Sequence, residues 1–95
     1  MARLTQAHKN GLRQKIRRVL KQEFPKADIT IDRPGSKVTG LIVWQGFDGL
    51  EQIDRQSHLW KILRSRLSPD EQFKIAAILT MAPVEWPRKT RSKHP

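Results

Sequence analysis

The 95-residue chain contains no cysteine. It therefore forms no disulfide and offers no thiolate, either as a metal ligand or as a nucleophile. Long apolar runs are also absent, since the longest, such as Leu41 to Trp44 and Ile75 to Leu79, are far shorter than the roughly 20 residues that a membrane-spanning helix needs. The first residues lack the apolar centre of a secretory signal. The length suits one domain. The absence of cysteine, of long apolar runs and of a secretory signal leads us to expect a cytoplasmic protein.

Residues suited to catalysis or metal binding are scarce. The three histidines, His8, His58 and His94, fall in three separate segments, whereas a metal site needs several ligands that converge on one ion. No serine has a nearby histidine and acid in the strand–turn–helix setting of a catalytic triad. We therefore predict a non-enzymatic protein with no metal site and no cofactor.

Acidic residues are few, nine against nineteen lysines and arginines, and the net charge is +10. Residues 1–26 hold eight basic residues and one acidic residue, residues 87–95 hold four basic residues and no acidic one, and the middle is nearly neutral. Such segregation favours a polyanionic partner, most simply nucleic acid. Basic helix faces and tails also keep small proteins in solution, so charge alone leaves both explanations open.

Apolar residues at steps of three and four predict a first helix from about Gln6 to Phe24. Pro25 ends it, because proline lacks an amide donor and disfavours helical geometry at the residue before it. Cationic side chains form a second line along this helix. The predicted nucleic-acid contacts are Lys9, Arg13, Arg17, Arg18 and Lys21, aided by Arg88, Lys89, Arg91 and Lys93 of the tail.

Two strands and a turn are predicted next. Asp28 to Asp32 alternates polar and apolar residues, which is typical of a half-buried strand. Arg33 to Lys37 contains the proline and glycine of a turn, and Val38 to Trp44 predicts a second strand in an antiparallel hairpin. Because Leu41 to Trp44 is apolar throughout, we expect this strand to be central and covered on both faces.

The second half of the chain leaves one ambiguity. A loop at Gln45–Gly49 precedes a helix predicted from Leu50 to about Leu67. Ser68-Pro69-Asp70-Glu71 has the local pattern of a helix start, yet the apolar run from Phe73 to Met81 fits a buried strand or a buried helix equally well. The segment Ala82–Trp86 is expected to form a short helical turn, with Trp86 folded onto the sheet.

The order α-β-β-α-β-α resembles the BolA family, small proteins with the topology of a type II KH domain. The resemblance extends over roughly Ala7 to Trp86. It implies an α+β fold in which a three-stranded sheet carries helices on one face, and it favours one helical turn at 69–72 followed by a strand. The domain is then 1–86, with a basic disordered tail at 87–95. The residues that carry the resemblance are Gly46-Phe47-Asp48-Gly49, Arg55 with Trp60 and Leu63, the run Phe73–Met81, and Pro83-x-Glu85-Trp86.

This chain departs from the family at its usual metal ligands. The family's third strand commonly begins with a histidine that ligates an iron–sulfur cluster shared with a monothiol glutaredoxin, and that place holds Lys74. The second usual ligand, a histidine or cysteine, would fall within Arg33–Lys37, where neither exists. A lysine ammonium has no lone pair and cannot replace them. The resemblance therefore implies a protein–protein adaptor, contacting a glutaredoxin-type partner through Lys74–Met81 and Trp86 without a shared cluster.

Gly46 and Gly49 also form a Gly-x-x-Gly sequence. In KH domains such a loop lets the backbone approach phosphates, whereas a structural turn explains the same two glycines. Both interpretations stay open here, although the carboxylate of Asp48 would repel phosphate. The tryptophans leave the same choice between stacking on bases and packing in the core; they are Trp44, Trp60 and Trp86.

The main hypothesis from the sequence is a nucleic-acid-binding regulator, for example a DNA-binding regulator of transcription. It would contact phosphates through the basic first helix and tail, with little sequence specificity. The alternative is the protein–protein adaptor without a cluster. The sequence does not distinguish DNA from RNA.

Overall fold

The computed structural model describes residues 2–86, with side chains described from residue 11 onward. The predicted α+β class with a three-stranded sheet is confirmed. Within residues 2–86, no helix is both long enough and apolar enough to cross a membrane. The tail at 87–95 lies outside the described residues, so the domain boundary stays a prediction. The elements are helix α1 (Ala2–Glu23), strands β1 (Asp28–Asp32) and β2 (Val38–Val43), a first 3-10 turn (Gln45–Phe47), helices α2 (Gln52–Arg66) and α3 (Pro69–Phe73), strand β3 (Ile75–Met81) and a C-terminal 3-10 turn (Pro83–Glu85).

Helix α1 begins earlier than predicted and ends where proline requires. In its apolar stripe Ile16, Leu20 and Phe24 are fully buried, and Leu12 is partly buried against the core. The amide of Phe24 still donates to the carbonyl of Leu20 at 2.8 Å, after which Pro25 stops the helix. The ammonium of Lys21 then bonds the carbonyl of Ala27 at 3.0 Å, which ties the end of α1 to the start of β1.

The sheet has the order β1-β2-β3, with β2 in the centre. Strands β1 and β2 are antiparallel, as predicted, and Ile29 lies opposite Ile42. Strands β2 and β3 are parallel, and Leu41 lies opposite Leu79. Because parallel neighbours need a long crossover connection, helices α2 and α3 lie between them in the chain. The resulting mixed sheet leaves β1 and β3 as its two edges.

The helices cover only one face of this sheet. On that face Ile29, Val38 and Ile42 are buried in the core with residues of α1 and α2. The expectation that β2 is covered on both faces is wrong, since Leu41 and Val43 are only partly buried and the neighbouring Leu79 is 60% exposed. Within residues 2–86 no layer covers this second side. We call it the open face. Its residues are Asp28, Thr30 and Asp32 of β1, Thr39, Leu41 and Val43 of β2, and Ala77, Leu79 and Met81 of β3.

The apolar run from Phe73 to Met81 is not a buried strand throughout. Phe73 ends helix α3 and is 74% exposed, and β3 begins only at Ile75. The cause is local, because Ser68 forms a capping box with Glu71 and Pro69 occupies the first helical turn. The predicted helical turn before the third strand is therefore confirmed, and it takes Phe73 out of the strand.

Candidate interaction surfaces

Arg55 of α2 is 3% exposed. Its Nε donates to the carbonyl of Leu50 at 2.9 Å and its Nη1 to the carbonyl of Thr80 at 3.2 Å. Two further bonds, at 2.7 and 2.8 Å, join the guanidinium to both carboxylate oxygens of Glu85. We call this bidentate pair the Arg55–Glu85 clamp. Its hydrogen bonds raise the pKa of Arg55 and lower the pKa of Glu85 to about 2, so both groups are charged at neutral pH.

The clamp fixes the position of Trp86. Oε1 of Glu85 also accepts from the amide of Ala82 at 2.8 Å, and the amide of Trp86 donates to the carbonyl of Pro83 at 3.1 Å. The indole is partly buried and lies beside Leu41 and Val43 in a shared groove. The expectation that Trp86 folds onto the sheet is confirmed.

Side chains of α2 cover the outer edge of β3. The carbonyl of Met81 accepts from the amide of Trp44 in the direction of β2, so the carbonyl of Thr80 points the other way. Gln52 donates to that carbonyl at 3.0 Å, and Gln56 donates to the carbonyl of Ile78 at 2.9 Å. Because a strand adds to a sheet through unpaired backbone groups, these bonds protect the β3 edge.

A groove on the outer surface of α1 gathers three of the predicted nucleic-acid contacts. It has a volume of about 390 Å³ and is lined by Arg17, Arg18 and Lys21 together with Gln14 and Gln22. Among the described side chains, no carboxylate lines this groove. Arg13 lies on the same helix, partly buried and outside the groove. The remaining predicted contacts lie outside the described side chains; they are Lys9, Arg88, Lys89, Arg91 and Lys93.

A second groove, of about 360 Å³, runs along the start of β1. We call it the edge groove. Arg17 and Lys21 form its cationic wall, and Leu41, Val43 and Trp86 form an apolar floor. The start of β1 and the residue before it supply the rest of the lining, which is Ala27, Asp28, Ile29 and Thr30.

The Gly-x-x-Gly loop has a structural explanation at each glycine. A side chain at Gly46 would overlap the indole of Trp44, and Gly49 has a φ of 85°, a value that favours glycine. Phe47, between them, is fully buried and contacts Phe24 and Trp44. The loop therefore works as a turn that inserts an aromatic ring into the core, and a phosphate-binding role for Gly46 and Gly49 stays a prediction.

Comparison with solved structures identifies the architecture. The fold is similar to BolA1 from Arabidopsis thaliana, with a TM-score of 0.62 and 20% identity over 80% of this chain and 96% of that chain. The chain has a BolA-like fold. A Bol-like protein from Babesia bovis matches with a TM-score of 0.55 and 22% identity over 83% of this chain and 93% of that chain. The BolA domain of SufE1 from Arabidopsis thaliana matches with a TM-score of 0.60 and 18% identity over 77% of this chain and 93% of that chain. The sequence matches no protein-family model and no curated protein.

The BolA-like fold brings the two expected cluster-ligand positions together, but the residues there do not fit an iron–sulfur cluster. The amide of Val38 donates to the carbonyl of Lys74 at 2.8 Å, which places the turn at 33–37 beside Lys74. The Lys74 ammonium pairs with Asp70 at 3.5 Å, and the Lys37 ammonium donates to the carbonyl of Phe73 at 2.9 Å. Neither amine is a cluster ligand, and the described residues contain no group of three His, Cys, Asp or Glu side chains arranged to hold a metal ion.

The sequence interpretation missed the role of Arg55, although the signal was present. Arg55 lies four residues before Leu59 and eight before Leu63, so it falls on the apolar stripe of α2. A cation in that position requires a carboxylate partner, and Glu85 supplies it. The ion pair between Lys15 and Glu71, at 3.0 Å, had no such signal because both side chains are partly exposed and neither requires a partner.

Proposed function

We propose that this chain is a non-enzymatic protein–protein adaptor of the BolA type that acts without ligating an iron–sulfur cluster. The open face of the sheet carries this proposal. It exposes Leu79 beside Leu41 and Met81, with the indole of Trp86 at its margin. A contiguous apolar surface of this kind is typical of a protein interaction site.

The rigidity of this surface supports the same role. The Arg55–Glu85 clamp holds the residue just before Trp86, and the indole is already partly buried beside Leu41 and Val43. Binding a partner at this site therefore costs less conformational entropy. One of the similar structures is a BolA domain of another protein, SufE1, which supports a role beside a further protein module. The proposed partner is a glutaredoxin-type protein that contacts Leu79, Lys74 and Trp86.

The test is isothermal titration of the purified chain with a monothiol glutaredoxin from the same source, without iron or sulfide. We expect binding by the wild-type chain, and a loss of at least about tenfold, or 1.4 kcal/mol, in Leu79→Glu. Arg64→Glu is the control, because Arg64 is an exposed cation on α2 away from the open face. Lys74→Glu makes the same change from a cation to a carboxylate as Arg64→Glu, but at a residue of the proposed surface.

Two results would contradict the adaptor. One is no binding by a folded wild-type sample, and the other is equal affinity in Leu79→Glu and Arg64→Glu. If Lys74→Glu alone leaves the affinity unchanged, Lys74 is removed from the surface and Leu79 remains.

A second candidate is nucleic-acid binding through α1, supported by the groove in which Arg17, Arg18 and Lys21 meet without a carboxylate. If the chain binds nucleic acid in this way, it would be a cytoplasmic protein that regulates transcription. Labelled DNA and RNA should bind more weakly at about 200 mM than at about 50 mM salt, because phosphate contacts release counterions. Neutralising Arg13, Arg17 and Lys21 together should lower the affinity and flatten its salt dependence. Unchanged binding would exclude this helix face.

A further inference from the structure

The two edges of the sheet differ in how they are protected. At β3, Gln52 and Gln56 of α2 bond the outward carbonyls of Thr80 and Ile78. Strand β1 has β2 as its single neighbour in the sheet, and its residues Asp28 to Thr30 line the edge groove. An extended segment of another chain adds to a sheet through such an edge. Among the described strands, β1 is therefore the edge that faces a groove.

The edge groove presents two different chemistries. Arg17 and Lys21 of α1 are its cationic residues, and the ammonium of Lys21 also bonds the carbonyl of Ala27. Leu41, Val43 and Trp86 supply its apolar lining. Tryptophan and arginine are the residues that most often dominate binding energy at protein interfaces. A ligand that uses both sides must carry negative charge and an apolar group close together.

We propose that the edge groove binds an extended peptide segment of a partner protein, with an acidic side chain toward Arg17 and Lys21 and an apolar or aromatic side chain against Trp86. The proposal rests on the adaptor function and names the chemistry of the segment that the adaptor recognises. Main-chain bonds to β1 would supply affinity, and the two side-chain subsites would supply specificity.

Asp28 favours a peptide over a nucleic acid in this groove. This exposed residue belongs to the lining, and a phosphate backbone, which is charged at every unit, would have to pass it. In an extended peptide alternate side chains point to opposite sides, so the acidic ones can face Arg17 and Lys21 while the apolar ones lie on the side of Asp28 and Trp86. The aliphatic floor of Leu41 and Val43 offers no hydrogen bond to a base edge.

A second copy of this chain is a poorer occupant, although its β1 is itself acidic and apolar. Asp28 and Asp32 are exposed at the two ends of β1, on the same side of the strand. Symmetric antiparallel pairing of two β1 strands along their full length, centred on Thr30, would place Asp28 of each copy opposite Asp32 of the other, and like charges directly opposite one another are destabilising. Each chain also carries a net charge of +10.

The experiment is a fluorescence anisotropy titration of the full chain with a labelled ten-residue peptide in which glutamate alternates with leucine and phenylalanine. A second peptide has lysine in place of each glutamate, and a ten-nucleotide single strand of DNA is the third probe. Arg17→Glu is compared with Arg18→Glu, because both lie on α1 and only Arg17 lines the edge groove. Trp86→Ala removes the aromatic part of the floor.

We expect the glutamate peptide to bind the wild type, and Arg17→Glu to lose at least about tenfold in affinity and to gain affinity for the lysine peptide. The affinity of Arg18→Glu for the glutamate peptide should stay within about twofold of the wild-type value. Trp86→Ala should lower the affinity for both peptides. In amide NMR spectra the peptide should shift the signals of residues 27–30 and the Trp86 indole.

Four outcomes overturn the peptide site: equal losses in Arg17→Glu and Arg18→Glu, peptide-induced shifts confined to other residues, tighter binding of the DNA strand at residues 27–30, or dimerisation through β1 in sedimentation. The adaptor is judged separately, because its test uses Leu79→Glu and a whole glutaredoxin. Loss of that partner in Leu79→Glu, with no peptide bound at Trp86, would keep the adaptor and reject the edge groove.

Discussion

Replacing Gly46 by alanine should strain the contact between the Gly-x-x-Gly loop and the core. The added methyl group would overlap the indole of Trp44. That ring is already held at its other sides, with centroid distances of 4.8 Å to Phe24 and 5.0 Å to Phe47. The ring or the loop must therefore move, and overpacking of this kind costs about 1–3 kcal/mol.

Gly49→Ala should also destabilise the fold, but for a different reason. No atom lies within 4 Å of a Cβ added at Gly49, whose φ is 85°. The cost is therefore conformational, about 1–2 kcal/mol for a residue with a Cβ in the left-handed region. Asparagine tolerates that region better than alanine, so Gly49→Asn should recover part of the loss.

Urea unfolding of a double-mutant cycle separates the two mechanisms. Trp44→Leu removes the ring that meets the new methyl group, so Gly46→Ala should cost less in that background, with a coupling energy of about 0.5–3 kcal/mol. Gly49→Ala should cost the same with or without Trp44. For a protein of this size the single changes should lower the urea midpoint by about 1 M. A neutral Gly46→Ala, or equal coupling of Trp44 to both glycines, would refute the packing explanation.

Three further predictions concern stability. The carboxyl pKa of Glu85 falls from 4.5 to about 2 on folding, so the stabilisation by its ionised form is complete above pH 4.5 and is lost between about pH 4.5 and 2. In thermal melts across this pH range, Glu85→Gln should lose this part of the pH dependence of stability. A variant whose melting temperature falls with acid as steeply as that of the wild type would contradict this prediction. Phe47→Ala should lower the free energy of unfolding in urea by about 3–5 kcal/mol because Phe47 is fully buried. Asp48 is exposed, so Asp48→Ala should lower it by less than about 0.5 kcal/mol. Similar losses in the two variants would contradict the buried role of Phe47. Ser68→Ala should cost about 1 kcal/mol through the lost cap, and Ser65→Ala, its control, should cost less.

Features encoded locally could be predicted from the sequence. The spacing of Ile16, Leu20 and Phe24 predicted the buried stripe of α1, and the alternation from Asp28 to Asp32 predicted β1 with its bounds. The capping residues around Ser68 indicated the start of α3, whereas the choice of a strand for the apolar run after it came from the resemblance to the BolA family. Each of these signals lies within one turn of helix or one short strand, where neighbouring residues decide the backbone.

Features that depend on the arrangement of the sheet could not be predicted. The local pattern of Leu41 and Leu79 is compatible with a covered or an uncovered face. The placement of the helices on one side, which only the family resemblance implied, leaves these two residues on the open face. The Arg55–Glu85 clamp joins residues 30 positions apart, so its geometry follows from the fold rather than from periodicity. The same holds for the edge groove, where α1, β1, β2 and Trp86 meet.

The two surfaces that carry charge are not independent. Arg17 and Lys21 line both the groove on the outer surface of α1 and the edge groove, so a polyanion on the first and an acidic peptide in the second would draw on the same two cations. Neutralising these cations by either ligand weakens the attraction for the other, and the two affinities must fall by the same factor because the coupling is reciprocal. Arg18 lines the groove on the outer surface of α1 and not the edge groove, so Arg18→Glu should lower the affinity for the polyanion and leave the affinity for the peptide unchanged. If both ligands occupy the chain at once with undiminished affinity, the two sites do not share Arg17 and Lys21.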